Sequence, residues 1–248
     1  MNHQKIILTI TSSKRYDLLQ KTISTFVRHC KDIDLIEEIF LFDDSSTDVD
    51  RVKNYLLLYE NFKNKKIKFI FFDEKSFDNP RRHRNIINIW KNQIKDYDFV
   101  FHLEDDWECL MDFTLTDPIN ILTKSDEIAS CGFSYKKFVW LPSDYGDLIT
   151  INDDYWVWPY NSNLPDGYWF TQPNSDKRMP NWPHFGLRPG LFDVKKINTL
   201  PEIPDCSEFE YNFGIEYSKK YISILYKDEI FLHIGNDNSS YSLNNSDK

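Results

Sequence analysis

The sequence predicts an α/β fold in which helices flank a mostly parallel central sheet. Residues 6–10, 39–42 and 99–103 are largely apolar runs, which are typical of strands buried on both faces. Between these runs lie segments whose apolar residues recur at helical spacing. Strands that alternate with helices form right-handed βαβ units, and the strands of such units are parallel.

The predicted elements alternate regularly in the first half of the chain and less regularly in the second. The first half contains predicted strands at 6–10, 39–42, 67–72 and 99–103 and predicted helices at 18–27, 52–59 and 82–94. Thr47 and Asp50 have the spacing of a capping box, which indicates where the second helix begins. In the second half we predict strands at 128–135, 222–226 and 230–233, a helix at 208–220 and long aromatic-rich loops over 155–184.

Length and composition limit the class of protein. The 248 residues fit one domain over residues 1–235, followed by a flexible polar tail at 236–248. The net charge of −9 argues against a basic surface, so we expect no nucleic-acid partner. The run at 6–10 is too short for a secretory signal or a membrane span, so we expect a cytoplasmic protein without a transmembrane segment. The four cysteines are too widely separated to indicate a zinc ribbon or a disulfide framework.

Three consecutive acids follow the predicted strand at 99–103. Glu104, Asp105 and Asp106 repel one another, and a divalent cation would relieve that repulsion. Hard oxygen ligands suit Mg²⁺ or Mn²⁺, which can bridge to diphosphate oxygens. An ordinary acidic turn is the alternative interpretation.

A second polar cluster, DDSSTD at residues 43–48, follows the strand at 39–42. Its carboxylates and hydroxyls could accept hydrogen bonds from a base or a ribose. Taken alone, the cluster is better explained as a helix cap and turn, since Ser, Thr and Asp are favoured there. In a parallel sheet both clusters would lie at the edge where ligands bind.

The order of these segments resembles GT-A glycosyltransferases, especially those of the family 2 type. Residues 6–26 resemble the family's opening strand, Thr/Ser turn and first helix. FDDSSTD at 42–48 resembles its VDDGSTD nucleotide-binding turn, and RHRN at 82–85 resembles its ARN segment. LEDDWE at 103–108 resembles its D-x-D metal motif in an EDD form. Ser45 replaces the usual Gly, a departure that affects the subfamily more than the fold.

The resemblance implies a GT-A fold with a nucleotide-sugar-binding half at 1–108 and an acceptor-binding half at 109–235. It implies a UDP- or GDP-sugar donor, a glycan or glycoconjugate acceptor, and Mn²⁺ or Mg²⁺ as cofactor. The residues then expected to bind the donor are Thr11, Asp43, Asp44, Arg82, Asn85, Glu104 and Asp105. Asp106 and His233 are expected to bind the metal; a structurally satisfied histidine is the alternative for His233.

The resemblance returns near the end of the chain. The segment at 210–233 resembles the family's ED…FGLRLAKKGYRIVY…YH stretch, and Glu210 takes the place of the Asp that acts as catalytic base in inverting members. Phe209 replaces the preceding Glu, so Glu208 and Glu216 are alternative candidates. The resemblance therefore implies inversion, with Glu210 deprotonating an acceptor hydroxyl.

Two other functions fit parts of the pattern. A sugar nucleotidyltransferase shares the α/β plan, but usually has a glycine-rich loop after the first strand, and residues 11–15 contain no glycine. A catalytically inactive carbohydrate-binding protein could use aromatic loops, which hold Trp156, Trp158, Trp169 and Trp182. The intact acidic clusters argue against this second alternative.

Overall fold

A computed structural model gives the architecture of the chain. It describes residues 4–44, 46–72, 79–133, 149–158, 160–164, 169–171, 178–202 and 208–235, with backbone only for 79–82, 169–171 and 178–180. The predicted tail at 236–248 lies outside the described residues. Within the described part, no helix has the length and apolarity needed to cross a bilayer.

The described residues form twelve strands and six α-helices. The strands are β1 (Ile6–Ser12), β2 (Ile36–Asp44), β3 (Lys66–Phe72), β4 (Phe99–Glu104), β5 (Trp107–Cys109), β6 (Ile128–Gly132), β7 (Tyr155–Val157), β8 (Trp169–Thr171), β9 (Arg178–Pro180), β10 (Gly190–Asp193), β11 (Ile222–Tyr226) and β12 (Phe231–His233). The helices are α1 (Tyr16–His29), α2 (Asp48–Asn61), α3 (Asn79–Gln93), α4 (Thr116–Lys124), α5 (Val194–Asn198) and α6 (Phe209–Ser218).

Eight strands form one central sheet in the order β3-β2-β1-β4-β10-β6-β11-β7. The first four are parallel to one another, and β6 is parallel to β11. β10 is antiparallel to both of its neighbours, and β7 is antiparallel to β11. The predicted α/β class with a mostly parallel central sheet is therefore confirmed.

Each face of the sheet is covered by an apolar layer. In β1 the side chains of Ile6, Leu8 and Ile10 enter one layer and Ile7 enters the other, because successive residues of a strand point to opposite faces. Helices α1, α2 and α4 contribute to the first layer, and α3, α5 and α6 to the second. Apolar side chains cover both faces, which is why the strands have continuous apolar sequences.

Several details differ from the sequence prediction. The cap of α2 agrees with the prediction, because Thr47 Oγ1 accepts a hydrogen bond from the Asp50 N–H at 3.2 Å. The segment 155–184, predicted as long loops, contains three short strands, β7, β8 and β9, and the prediction was wrong at those residues. Strands of three residues are too short to show a periodic pattern. The helix predicted at 82–94 begins earlier, at Asn79.

The sheet brings distant polar segments to one edge. In the parallel register Thr11 lies beside Phe42 on one side and Glu104 on the other, so the carboxyl ends of β1, β2 and β4 are level. β12 pairs with β5, which places His233 opposite Trp107. The end of the chain's described part thus returns to the acidic cluster.

Candidate functional site

A cleft lies at the carboxyl ends of β1, β2 and β4. Four of the residues predicted to bind the donor line it, namely Thr11, Asp44, Glu104 and Asp105. Clefts at this edge of a parallel sheet are the usual ligand sites of α/β folds. Three further lining residues, Arg15, His83 and His102, had not been predicted.

Arg15 binds both central acids. Its Nη1 lies 2.8 Å from Asp106 Oδ2, and its Nη2 forms a short ion pair with Asp105 Oδ1. The Ser13 N–H also donates to Asp105 at 2.9 Å. Asp105 is only 1% exposed, and burying an unpaired carboxylate is costly. Arg15 therefore supplies positive charge beside the two carboxylates, but burial outweighs it at Asp105 and raises the pKa of that group to about 7.

The turn after β1 is built to reach this acidic cluster. Lys14 has a φ of 52°, in the left-handed region that a side chain rarely adopts. Its N–H donates to Ser46 Oγ at 3.2 Å, which ties this turn to the turn after β2. On the other side, Thr22 of α1 donates to the Asp105 carbonyl oxygen at 2.9 Å. The acids are thus held by backbone contacts as well as by charge.

Asp106 and His233 form a pair with the chemistry of a divalent-cation site. His233 Nε2 lies 3.2 Å from Asp106 Oδ2. Adjacent ligands of a six-coordinate ion with bonds of about 2.1 Å lie roughly 3 Å apart, so the pair fits. The backbone of Gly235 is also close, since a Cβ there would lie 2.4 Å from Asp106 Oδ2.

This pair would supply only part of a coordination shell. Across the residues that the structure describes, there is no group of three or more His, Cys, Asp or Glu side chains placed to hold an ion. Mg²⁺ and Mn²⁺ commonly take their other ligands from substrate phosphates and water. The donor set therefore fits a cation that binds together with a nucleotide.

Glu104 lies beside this pair in an environment that favours its neutral form. Burial raises its pKa to about 8, and the charge of Asp106 adds to the effect. Trp107 Nε1 donates to Glu104 Oε2 at 2.8 Å, and the Trp107 ring packs against His233 with centroids 4.9 Å apart. Trp107 therefore connects Glu104 to the metal-binding candidate His233.

The two acids after β2 occupy different environments. Asp43 is fully buried and accepts from the Ser46 N–H at 3.1 Å and from Asn54 Nδ2 at 3.3 Å. These contacts hold the turn and the start of α2 together. Asp44, in contrast, lines the cleft. A direct role in donor binding remains a prediction for both, and the position of Asp44 suits it better.

The segment resembling the ARN motif lies in the first part of α3. The Arg82 side chain lies outside the described atoms, and Asn85 is half-buried. Their predicted contacts with a donor stay predictions. His83, between them, faces the cleft and lies 3.5 Å from Glu210, measured from its Nδ1 to Oε2.

Glu210 lies in the first turn of α6 and contacts two residues that line the cleft. Its Oε1 accepts the Leu187 N–H at 2.6 Å, and Leu187 lines the cleft. The alternative candidates are placed differently: Glu208 is exposed before the helix, and Glu216 pairs with Lys219. Among these three, Glu210 is the carboxylate that borders the cleft.

Two of the tryptophans suggested for sugar stacking, Trp158 and Trp182, make contacts within the protein. Trp158 is 5% exposed and carries the Arg188 guanidinium over its ring at 4.4 Å. Trp182 Nε1 donates to the Phe185 carbonyl oxygen at 2.7 Å. Trp156 lies half-buried in β7, and the Trp169 side chain lies outside the described atoms.

Comparison with solved structures identifies glycosyltransferases of the GT-A fold. The mannosyltransferase PcManGT from Pyrobaculum calidifontis, solved with GDP-Man and Mn²⁺, matches with a TM-score of 0.61 at 10% identity, over 96% of this chain and 59% of its own. TarS from S. aureus, residues 1–349, matches with 0.54 at 12% identity, over 92% of this chain and 59% of its own. GalNAc-T7, solved with UDP, GalNAc and Mn²⁺, matches with 0.57 at 11% identity, over 91% of this chain and 43% of its own.

These similarities confirm the predicted GT-A fold. The chain spans about three-fifths or less of the length of each of these three structures. No protein-family model matches the chain, and no curated protein matches it.

Proposed function

We propose that the chain is a divalent-metal-dependent glycosyltransferase that moves a sugar from a UDP- or GDP-sugar to a hydroxyl of a glycan or glycoconjugate, with inversion. The observation that carries this proposal is the Asp106–His233 pair, which adjoins the cleft residues Glu104 and Asp105, together with Glu210, which is held against the cleft residue Leu187. The solved neighbours PcManGT and GalNAc-T7 were both crystallised with Mn²⁺ and a nucleotide or nucleotide-sugar, which supports the same assignment.

The acidic side of the cleft would hold the donor. Asp106 and His233 would hold Mn²⁺ or Mg²⁺, which supplies positive charge to a diphosphate leaving group. Arg15 adds a fixed positive charge next to Asp106. Asp44 and Thr11 line the part of the cleft formed by β1 and β2, where a nucleoside would fit.

Glu210 would activate the acceptor. Glu210 would take the proton of the attacking hydroxyl, which raises the nucleophilicity of that oxygen. The Leu187 N–H holds the Oε1 atom of Glu210, so Oε2 is the oxygen that turns towards His83 and the cleft. A base on one side and a leaving group on the other are what a single in-line displacement requires.

The first prediction concerns nucleotide binding. UDP- and GDP-sugars should raise the melting temperature in the presence of Mn²⁺ and not in EDTA. A ligand at a hundred times its Kd stabilises the folded state by about 2.7 kcal/mol, which corresponds to a shift of about 5–11 °C for a chain of this size. Asp106→Asn should abolish the shift, because it removes the carboxylate next to His233.

Asp112→Asn is the matched control, since Asp112 pairs with Lys31 and His29 outside the cleft. The control variant should keep the Mn²⁺-dependent shift. Equal stabilisation of the wild type with Mn²⁺ and with EDTA would contradict the metal role. Mass spectrometry of acceptor glycans incubated with the nucleotide-sugar that binds best would then test transfer itself.

A further inference from the structure

A histidine in the cleft has a ring nitrogen that the described part of the protein leaves unsatisfied. His102, on β4, is 0% exposed and lines the cleft. Its Nε2 has no hydrogen-bond partner among the described residues. Because an unpaired buried polar atom is unfavourable, native structures nearly always provide a partner. A ligand in the cleft could be that partner.

The other ring nitrogen of His102 contacts a hydroxyl that can donate to it or accept from it. His102 Nδ1 lies 2.9 Å from Thr9 Oγ1, while the same hydroxyl lies 3.4 Å from the Phe101 carbonyl oxygen. The Thr9 hydroxyl has one proton, which it donates either to the Phe101 carbonyl oxygen or to Nδ1, and in the second case Nδ1 is the acceptor. The proton of the neutral ring then lies on Nε2, which becomes a donor towards the cleft.

The position of His102 selects the part of a nucleotide that it would meet. His102 and Glu104 lie two residues apart on one face of β4, with His102 nearer the start of the strand. The acids at the strand end suit the diphosphate and its cation. Phe42, Phe72 and Ile86 give the cleft an apolar lining, which suits a flat base.

We propose that His102 Nε2–H donates a hydrogen bond to a carbonyl oxygen of the donor's nucleobase, and so favours uracil or guanine over adenine. The inference rests on the proposed function and deepens it, because it names the residue that distinguishes among nucleotides. A site built to hydrogen-bond a ligand group discriminates strongly against ligands that lack it.

The experiment is calorimetry of UDP, GDP and ADP in Mn²⁺ with the wild type, His102→Phe and His102→Gln. The wild type should bind UDP or GDP more tightly than ADP. His102→Phe keeps a ring but removes the hydrogen-bond donor. It should therefore lower the affinity for the preferred nucleotide roughly tenfold and leave the affinity for ADP unchanged. The Gln amide can donate from nearly the same place, so His102→Gln should restore part of the preference.

Trp90→Phe is the matched control. Trp90 is also fully buried, its Nε1 is likewise unpaired among the described residues, and its ring lies 5.5 Å from that of His102. Because it is not among the residues that line the cleft, its variant should keep the wild-type preference.

Three results would overturn the inference: a wild type without preference for UDP or GDP over ADP, an unchanged preference in His102→Phe, or an equal loss for all three nucleotides. If His102→Phe fails to fold, calorimetry of His102→Gln tests the inference instead. Complete loss of the preference for UDP or GDP over ADP in His102→Gln would count against the inference. If the wild type binds no nucleotide with or without Mn²⁺, the proposed function fails as well. These results differ, so the two failures can be distinguished.

Discussion

Two contacts hold the carboxylate of Glu210 in place. One oxygen accepts a backbone N–H from Leu187, and the other lies 3.5 Å from His83. Glu210→Gln keeps an oxygen that can accept the Leu187 N–H, so the variant should fold and bind nucleotide as the wild type does. Transfer should fall about 10²–10⁴-fold, which is the usual effect of losing a general base. Single-turnover assays and calorimetry on the same samples measure both quantities.

The controls for Glu210 are Glu208→Gln and Glu216→Gln. Glu208 is exposed and Glu216 pairs with Lys219, so both variants should keep near-wild-type transfer. If either control loses transfer while Glu210→Gln retains it, the assignment of the base is wrong. If none of the three matters, the product anomer should be determined by NMR, because the inverting mechanism itself would be contradicted.

Arg15 is the residue whose removal should most disturb the acidic cluster. Arg15→Ala leaves Asp105 buried without its cation, and breaking a buried ion pair typically costs about 3–5 kcal/mol. The melting temperature should fall by about 10 °C. Arg15→Lys should fall less, because Lys keeps the charge but loses the planar fork that spans Asp105 and Asp106.

A second substitution tests whether the loss of stability comes from the unpaired charge of Asp105. Adding Asp105→Asn to Arg15→Ala removes the unpaired charge, so the double variant should regain part of the lost stability. Thermal unfolding followed by circular dichroism gives the four midpoints of the cycle. Additive losses would show that Arg15 acts through packing and not through charge.

At the scale of elements, two glycines set how closely backbone segments approach the site. A Cβ on Gly214 of α6 would lie 2.5 Å from Pro183 Cγ, and one on Gly235 would lie 2.4 Å from Asp106 Oδ2. Gly214→Ala should destabilise by about 1–3 kcal/mol through overpacking, although Ala favours a helix by about 1 kcal/mol. Because α6 carries Glu210, turnover should fall while nucleotide affinity is kept.

Gly235→Ala should have the opposite pattern. Its added methyl group meets the carboxylate proposed to hold the cation, so Mn²⁺-dependent nucleotide binding should weaken first. Calorimetry and turnover measured on both variants separate the two effects. Loss of nucleotide affinity in Gly214→Ala alone would contradict the division of the cleft into a donor side and an acceptor side.

The elements also show how far the sequence could predict the structure. β1, β2 and β4 were found because strands buried on both faces are continuously apolar. α4 was missed because Pro118 reads as a breaker, although proline is tolerated in a first helical turn. β10 has only four residues and lies antiparallel between β4 and β6. Its place in the sheet depends on pairing with residues far away in the sequence, so no local pattern predicts it.

The candidate site was predictable only in part, for a similar reason. Acids that end an apolar strand are visible in the sequence, so Glu104, Asp105 and Asp106 were found. Arg15 and His83 matter because folding places them against Asp105 and Glu210, more than a hundred residues away in the case of His83. No local pattern carries that information.

At the scale of the whole molecule, the central sheet runs through both predicted halves of the chain. β10 lies between β4 and β6, so residues 1–108 and 109–235 contribute strands to one sheet. An aromatic cluster crosses the same boundary. The ring of Phe133 lies 5.1 Å from that of Phe101 and 5.2 Å from that of Phe113, and all three are in the same apolar layer.

Phe133→Ala should therefore destabilise both halves together. A buried Phe→Ala change costs about 3–5 kcal/mol, and Phe133 is 0% exposed. Hydrogen exchange should show β1 and β11 losing the same free energy of protection, because one cooperative unit opens as a whole. Leu110→Ala, at a side chain 44% exposed, is the control and should change neither strand. If β11 alone loses protection, the halves unfold separately, and the prediction of a single domain over residues 1–235 is wrong.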